Sequence, residues 1–272
     1  MTAPAEIPRR IIQTGKTRAL PLVEQAALAG MLALNPGFEH VYFTDADVDA
    51  LIDREFPQHR AVFDAFPHKI QRFDFFRYLA VFKLGGFYFD LDVFLARGLG
   101  DLCTAECVFP FEELTLSRFL RRERGLDWEI GNYAFAARAG HPFLGAVIEN
   151  CVRAQRDPTW AAPMLRDIPA PFRAGFEVLN TTGPGLLSRT LAENPGLAPS
   201  IRVLFPNDVR DERAWHKFGD YGVHLMAASW RGKGGLLRRR LAMMWETRRR
   251  RQCAAESATL GPSRSVPVTA ST

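Results

Sequence analysis

Cysteine is scarce in this 272-residue chain, and its four copies, Cys103, Cys107, Cys151 and Cys253, form none of the paired CxxC units of a zinc site. They are also few for a disulfide-stapled secreted scaffold, so reduced thiols in a cytosolic protein are the expectation. Also missing is any apolar run of roughly eighteen residues, the length that a membrane-spanning helix needs. The opening MTAPAEIPRR has no apolar stretch behind its positive charges, as a secretory signal would. The chain therefore reads as cytoplasmic, soluble or peripheral at the inner face of a membrane. Its net charge of +5 is concentrated near the C-terminal end rather than spread over a face, which argues against a nucleic-acid partner. What the chain does have is apolar content, 47% of its residues, ample for one sizeable core. One domain over residues 1–235 is expected, followed by a tail over 236–272.

The stretch Gln71–Leu95, QRFDFFRYLAVFKLGGFYFDLDVFL, organises the rest. Its first half is apolar almost all round, from Phe73 to Leu84, and predicts a helix buried inside a domain. Asp74 and Arg77 stand three apart on that helix with Tyr78, close enough to pair with each other or to reach one ligand together. Gly85 and Gly86 end the helix, since glycine takes the left-handed conformation common at a helix C-terminus. Residues 87–95 then read as one buried strand, with Tyr88, Asp90 and Asp92 on the same face and the carboxylates roughly 7 Å apart. Two buried anions need relief. A divalent cation, Mn²⁺ or Mg²⁺, supplies it through hard oxygen ligands and keeps positions open for phosphate; a helix cap and an arginine partner would supply it without metal.

The string D-x-x-R-Y, an apolar run and G-G-F-Y-F-D-L-D resembles glycosyltransferase family 32, the DXD-containing sugar transferases that include yeast initiating α-1,6-mannosyltransferase and bacterial capsular polysaccharide enzymes. The glucosylating clostridial toxins are similar in the same segment. Ile7–Lys16 resembles the family's opening strand, and Gln13, Thr14 and Lys16 fit its pattern near the nucleotide base. Ile12 and Gly15 depart from it, standing where a histidine and a tryptophan are usual. Ile130–Ala137 reads as a strand, and with His141-Pro142-Phe143 after it resembles a family segment that brings an asparagine, here Asn132, to the donor sugar. The segment from Tyr221 to Trp230 resembles the family's closing H-x-x-x-x-S-W, which implies His224 near the metal and Ser229 and Trp230 at the diphosphate.

An order of strand, helix, strand, helix in the first sixty residues independently predicts an α/β domain. The resemblance implies a GT-A-type, Rossmann-like domain with a central, mostly parallel sheet flanked by helices. Helices are expected from residue 21, from Asp45 and from His141, and strands near Phe38–Thr44, Glu106–Pro110 and Ile201–Pro206. The charged segment around Arg121 reads as a solvated connection, and Thr182 as the cap of a helix that follows Pro184. Residues 231–251 set leucines, Met243, Met244 and Trp245 among arginine clusters, the composition of a helix lying on an anionic membrane surface or, equally, of a solvated helix, with a disordered end beyond.

These readings converge on a metal-dependent transferase moving sugar from a UDP- or GDP-sugar donor to a glycan, lipid-linked or protein acceptor, in the manner of surface polysaccharide synthesis. Asp90, Asp92, Asp74 and Arg77 are the expected catalytic residues, with His224 joining Asp90 and Asp92 on the metal. Gln13, Thr14, Lys16, Tyr78, Gly85, Gly86, Asn132, Ser229 and Trp230 are the expected donor-binding set. The resemblance implies retention of anomeric configuration, and no residue stands out as a covalent nucleophile. Two other readings compete. One is a sugar-binding or scaffold protein of the same fold in which Ile12 and Gly15 reflect lost catalysis; the other is a haloacid-dehalogenase-type phosphohydrolase, whose DxD usually opens the chain.

Overall fold

The computed structural model describes residues 6–225, 244–253 and 255. The first elements alternate as their patterning predicts: β1 (Arg10–Thr14), α1 (Leu22–Leu34), β2 (Glu39–Phe43), α2 (Asp45–Glu55), α3 (Arg60–Ala65) and α4 (Lys69–Leu84). Thr44 caps α2 by a reciprocal box, taking the Asp47 amide on its hydroxyl while the Asp47 carboxylate takes the Thr44 amide at 2.9 Å. The apolar α4 is buried over most of its length and stops at Gly85, whose φ of 64° favours glycine although its ψ of 166° differs from the left-handed helical value expected there.

Beyond it lie β3 (Gly86–Phe89), β4 (Val93–Leu95), β5 (Cys107–Leu114), β6 (Trp128–Ile130) and β7 (Ala134–Ala137). The second half adds α5 (Pro142–Arg156), α6 (Ala162–Leu165), α7 (Arg173–Thr181), α8 (Pro184–Glu193), β8 (Ile201–Leu204), β9 (Lys217–Phe218) and β10 (Gly222–His224). The main sheet runs β2-β1-β3-β7-β5, with β6 and β8 both paired to β5. Strands β1, β2, β3, β5 and β8 point one way and only β7 and β6 oppose them, so the sheet is mostly parallel and flanked by helices as expected.

Alternation along these strands builds two cores. Ile12, Tyr88, Phe109 and Phe135 face α4, α5 and α8. Ile11, Phe87, Phe89, Val108 and Ala136 face the other way, toward Met31 of α1 and Phe218. Helices on both sides explain why β3 is apolar throughout.

Four local expectations are corrected. Residues 87–95 are not one strand: β3 ends at Phe89, Asp90-Leu91-Asp92 turn away, and β4 joins a second sheet with β10 and β9. The turn is held from outside, since the Asp90 amide donates to the Tyr133 carbonyl at 2.7 Å and the Val93 amide to the Asp90 carbonyl at 3.2 Å. The strand read over Ile130–Ala137 is likewise interrupted, by a bend at Gly131–Tyr133. The segment around Arg121 is no solvated connection; Phe119–Glu123 forms a π-helical turn with Phe119, Leu120 and Arg121 buried. Thr182 does not cap α8, whose N-cap is Gly183; its hydroxyl points into the core instead.

Residues 244–253 form a helix that docks on the domain. Trp245 meets Phe172 and Phe176 with ring centroids 6.1 and 5.7 Å away, Arg249 is buried beside the Leu116 carbonyl, and Arg250 pairs with Glu113 at 2.7 Å. The described part of the tail thus spends its tryptophan and two arginines on its own protein, while residues 231–243, 256–272 and the boundary at 235 lie outside the described residues. Cys103, Cys107, Cys151 and Cys253 are buried and form no disulfide with one another. Among the described residues, no helix is long and apolar enough to cross a membrane.

Candidate functional site

Five of the strands point toward one edge of the main sheet, and ligands in such sheets gather beyond the carboxyl ends of the strands. Asp90 leaves β3 at that edge. Asp92 follows two residues later, and β10 brings His224 from the small sheet beside it. One ligand atom from each of Asp90, Asp92 and His224 lies within 4.8 Å of the other two. His224 Nε2 stands 3.2 Å from Asp92 Oδ1, and the imidazole stacks on Tyr133 at 4.4 Å between centroids. His224 Nδ1 is buried and meets no hydrogen-bond partner among the described residues. The carboxylates are part-exposed, at 27% for Asp90 and 19% for Asp92, so they sit at the mouth of the fold rather than inside a strand. Two carboxylates and an imidazole in one small space fit a divalent cation with positions left open for other oxygen ligands.

Behind this mouth lies a buried polar layer. Arg77 approaches Asp90 at 3.2 Å and Asp74 at 3.1 Å, lies 4.7 Å over the Tyr88 ring and donates to the Asn132 carbonyl at 2.8 Å. Burial works against its charge, but Asp90, Tyr88 and Asp74 together raise its pKa above the ordinary arginine range. Asp74 is pushed up to about 6, because burial outweighs the attraction of a guanidinium shared with a second carboxylate. Its oxygens take hydrogen bonds from Thr182 Oγ1 at 2.9 Å and Asn132 Nδ2 at 3.0 Å. The Tyr78 hydroxyl donates to the Thr182 carbonyl at 2.7 Å and accepts from Asn132 at 3.1 Å. Tyr88 donates to Asp90 Oδ1 at 2.8 Å, with Thr14 Oγ1 at 3.3 Å from the same phenol.

The expected residues therefore divide. Asp90, Asp92 and His224 meet at the mouth; Asp74, Arg77, Tyr78, Thr14 and Asn132 form the layer that holds them. Asp74 and Arg77 are each 4% exposed, so they grip one another rather than standing open to a sugar. Gln13 turns away, buried and bonded to His40 at 3.1 Å, whereas Lys16 is exposed on the following loop. Gly85 and Gly86 lie at the opposite end of β3 from Asp90, packed against Pro8, Arg10 and Ala139, so they serve the backbone and not a donor. Ser229 and Trp230 lie outside the described residues. Gly15 has a physical reason: a β-carbon there would collide with the Tyr42 hydroxyl, which reaches across from β2 to the Thr17 carbonyl at 2.8 Å.

The sequence did not single out Thr182, Tyr133 or Glu24 for the site. Glu24, in the first turn of α1, has its pKa raised by burial and by the nearby Asp92. A threonine after a helix reads as a cap, and nothing local says that its hydroxyl reaches a carboxylate 108 positions earlier.

Residues 21–109, from the start of α1 to the middle of β5, match the family described as glycosyltransferase sugar-binding region containing DXD motif. The match contains Asp74, Arg77, Asp90 and Asp92. Over 149 residues the chain is 33% identical to inositol phosphoceramide mannosyltransferase 3 of Schizosaccharomyces pombe, covering 55% of this chain and 38% of that one. It is 24% identical over 173 residues to the initiation-specific alpha-1,6-mannosyltransferase of Candida albicans, covering 58% of this chain and 44% of the relative. In both cases the chain spans less than half of the relative's length. The solved PaToxG glycosyltransferase superposes with a TM-score of 0.48 at 14% identity, over 71% of this chain and 70% of that one.

Proposed function

We propose that the chain is a metal-dependent glycosyltransferase that moves a sugar from a UDP- or GDP-sugar to a hydroxyl of a glycan, lipid-linked or protein acceptor. The observation that carries this is the meeting of Asp90, Asp92 and His224 at the mouth of a DXD-type sugar-binding region, with Arg77 fixing Asp90 from behind. Mn²⁺ or Mg²⁺ held by those three side chains would offset the charge that builds on a departing nucleoside diphosphate. The protein's own part is placement. Arg77 and Tyr88 fix the Asp90 carboxylate, and Tyr133 fixes the plane of the His224 imidazole. Retention of anomeric configuration follows the family resemblance, and so do diphosphate contacts from Ser229 and Trp230. The names of the relatives make mannose the first sugar to test and a lipid head group the first acceptor. A cytoplasmic place at the inner face of a membrane fits the lipid reading, supported by Arg231, Lys233, Arg238, Arg239 and Arg240 in the sequence.

The test is a melting series with GDP-mannose and UDP-glucose, each with and without Mn²⁺, followed by donor hydrolysis and transfer assays. A ligand that binds only the folded state raises apparent stability, so the true donor is expected to raise Tm more with Mn²⁺ than without. Full transfer in EDTA would sink the metal-dependent reading. Donor binding without turnover on any acceptor would favour the scaffold protein instead.

A further inference from the structure

Beside β2, the strand at one end of the main sheet, lies an open groove of about 440 Å³ that the site described above leaves unused. Arg18, Leu20, Leu28, Glu39, His40 and Tyr42 line it. His40 and Tyr42 are two apart on β2 and so share a face of the strand, with 6.2 Å between their ring centroids. The parallel register sets them beside Ile11 and Gln13 of β1, on the face that meets Met31 of α1.

The rings in this groove are held from behind. The Tyr42 hydroxyl donates to the Thr17 carbonyl at 2.8 Å, which ties the ring to the loop after β1. Gln13, buried, holds His40: its Oε1 can only accept, so the imidazole Nε2 at 3.1 Å carries the proton and Nδ1 is left an acceptor. Burial and then the charge of Arg18 lower the His40 pKa, which favours that neutral ring. The guanidinium of Arg18, an exposed side chain, lies 5.8 Å from the Tyr42 centroid. The groove also adjoins the mouth. A β-carbon at Gly15 would collide with the Tyr42 hydroxyl and lie 3.0 Å from Leu91 Cδ1, so the end of the Tyr42 ring and the middle residue of the DxD meet across Gly15.

We propose that this groove receives the base of the donor nucleotide, one face of it against the Tyr42 ring and its polar edge toward His40 and Arg18. A base has apolar faces and a rim of hydrogen-bonding groups, and aromatic rings and guanidinium planes are what stack on it. Leu20, Leu28 and Tyr42 suit the faces, while the His40 acceptor and the Arg18 donors suit the rim. A lipid tail does not suit the place, because it would strip water from Arg18, Glu39 and His40 and return no hydrogen bond. Position agrees with chemistry: a nucleoside diphosphate with its phosphates at Asp90, Asp92 and His224 carries its base one ribose away, and the groove begins across Gly15 from that turn. The proposal rests on the transferase reading and names the residues that select its donor.

The experiment uses the full chain with Mn²⁺ and measures Kd by calorimetry for GDP, for UDP and for inorganic pyrophosphate, which has no base. One of the two nucleotides is expected to bind the wild type roughly tenfold or more tighter than pyrophosphate does. Tyr42→Ala is expected to weaken that nucleotide roughly tenfold and to leave pyrophosphate within about threefold. Tyr42→Phe keeps the ring and is expected to recover most of the lost affinity. Arg18→Ala alters an exposed side chain and so spares the fold; it is expected to weaken the nucleotide about threefold to tenfold, again without moving pyrophosphate. If the wild type binds neither nucleotide, the transferase reading falls and the groove with it. A nucleotide that binds no tighter than pyrophosphate, or whose affinity survives in both Tyr42→Ala and Arg18→Ala, overturns the groove alone. Equal losses for nucleotide and pyrophosphate in both variants also overturn it, since the defect then lies with the phosphates and not the base.

Discussion

Two groups of carboxylates face each other across the Gly131–Tyr133 bend, and they are neutralised in different ways. Asp74 and Asp90 share one internal cation, Arg77, from the same stretch of chain as the DxD. Glu113 relies on Arg250, which arrives from residues 244–253 and lies 5.5 Å over Trp215. Glu129 meets no cation among the described residues; it accepts from Thr115 at 2.5 Å, and burial followed by the charge of Glu113 pushes its pKa up to about 8. The first group carries its balancing charge within one helix-and-strand unit. The second depends on the far end of the chain and on protons.

Asp92→Asn bears hardest on the first group. It keeps shape but removes a charge from the three-residue set, and metal-dependent transfer is expected to fall roughly 10²- to 10³-fold with little change in Tm. An Asp92→Asn protein that turns donor over at the wild-type rate would end the account of this site.

Arg77→Ala breaks the shared cation and leaves Asp74 buried without it, so unfolding in urea should show a loss of about 3–5 kcal/mol. Arg77→Lys keeps the charge but not the planar fork that spans two carboxylates and the Asn132 carbonyl. Activity is expected to fall in that variant even where the fold survives. Equal losses of Tm in the Lys and Ala variants would show that the fork matters to the fold itself.

Removing the borrowed cation is expected to cost less. Arg250→Ala should lower stability by about 1–3 kcal/mol, because Glu113 is left part-buried and unpaired while the contact with Trp215 is also lost. The loss should shrink in acid, where Glu113 takes up a proton, since burial already raises its pKa. A loss independent of pH would show that packing, and not charge, holds this helix.

A further comparison is the titration of Glu129. Its folded pKa of about 8 lies above the unfolded carboxyl value, so the folded state binds the proton more tightly. The resulting stability is fully present below the unfolded pKa, declines as pH rises, and is lost as pH passes about 8. Melting followed from pH 5 to pH 9 should therefore fall, and Glu129→Gln should flatten that slope. An unchanged slope in the variant would move the titration to another group.

The first group was legible in the sequence because it is local. Asp74, Arg77, the glycine pair and the DxD fall within twenty residues, and helix and strand periods place them. Even there the reading ran one strand through the motif, since Phe87–Leu95 is apolar and aromatic throughout; what breaks it is the Tyr133 carbonyl, an acceptor from another strand. Thr182 misled for a related reason, because its hydroxyl goes to Asp74 and not to the nearest helix. The contact of Glu112, next to Glu113 of the second group, with His216 was not legible at all, as its members are 104 positions apart and carry no motif. The tail was read as a basic face for a membrane, but composition alone does not say that Arg249 and Arg250 turn inward.

The candidate metal set also joins early and late parts of the chain: His224 is 132 residues beyond Asp92 (224 − 92). During synthesis, a ribosome releases Asp90 and Asp92 long before β10 exists. Until then Asp90 has Arg77 but no imidazole beside it, and the Tyr133 ring lacks its His224 neighbour. Domains generally fold as units while the chain emerges, and pairings between distant segments are the slow ones. The three-residue set therefore cannot form before β10 has been made, so an unfinished chain cannot hold the cation in the finished geometry.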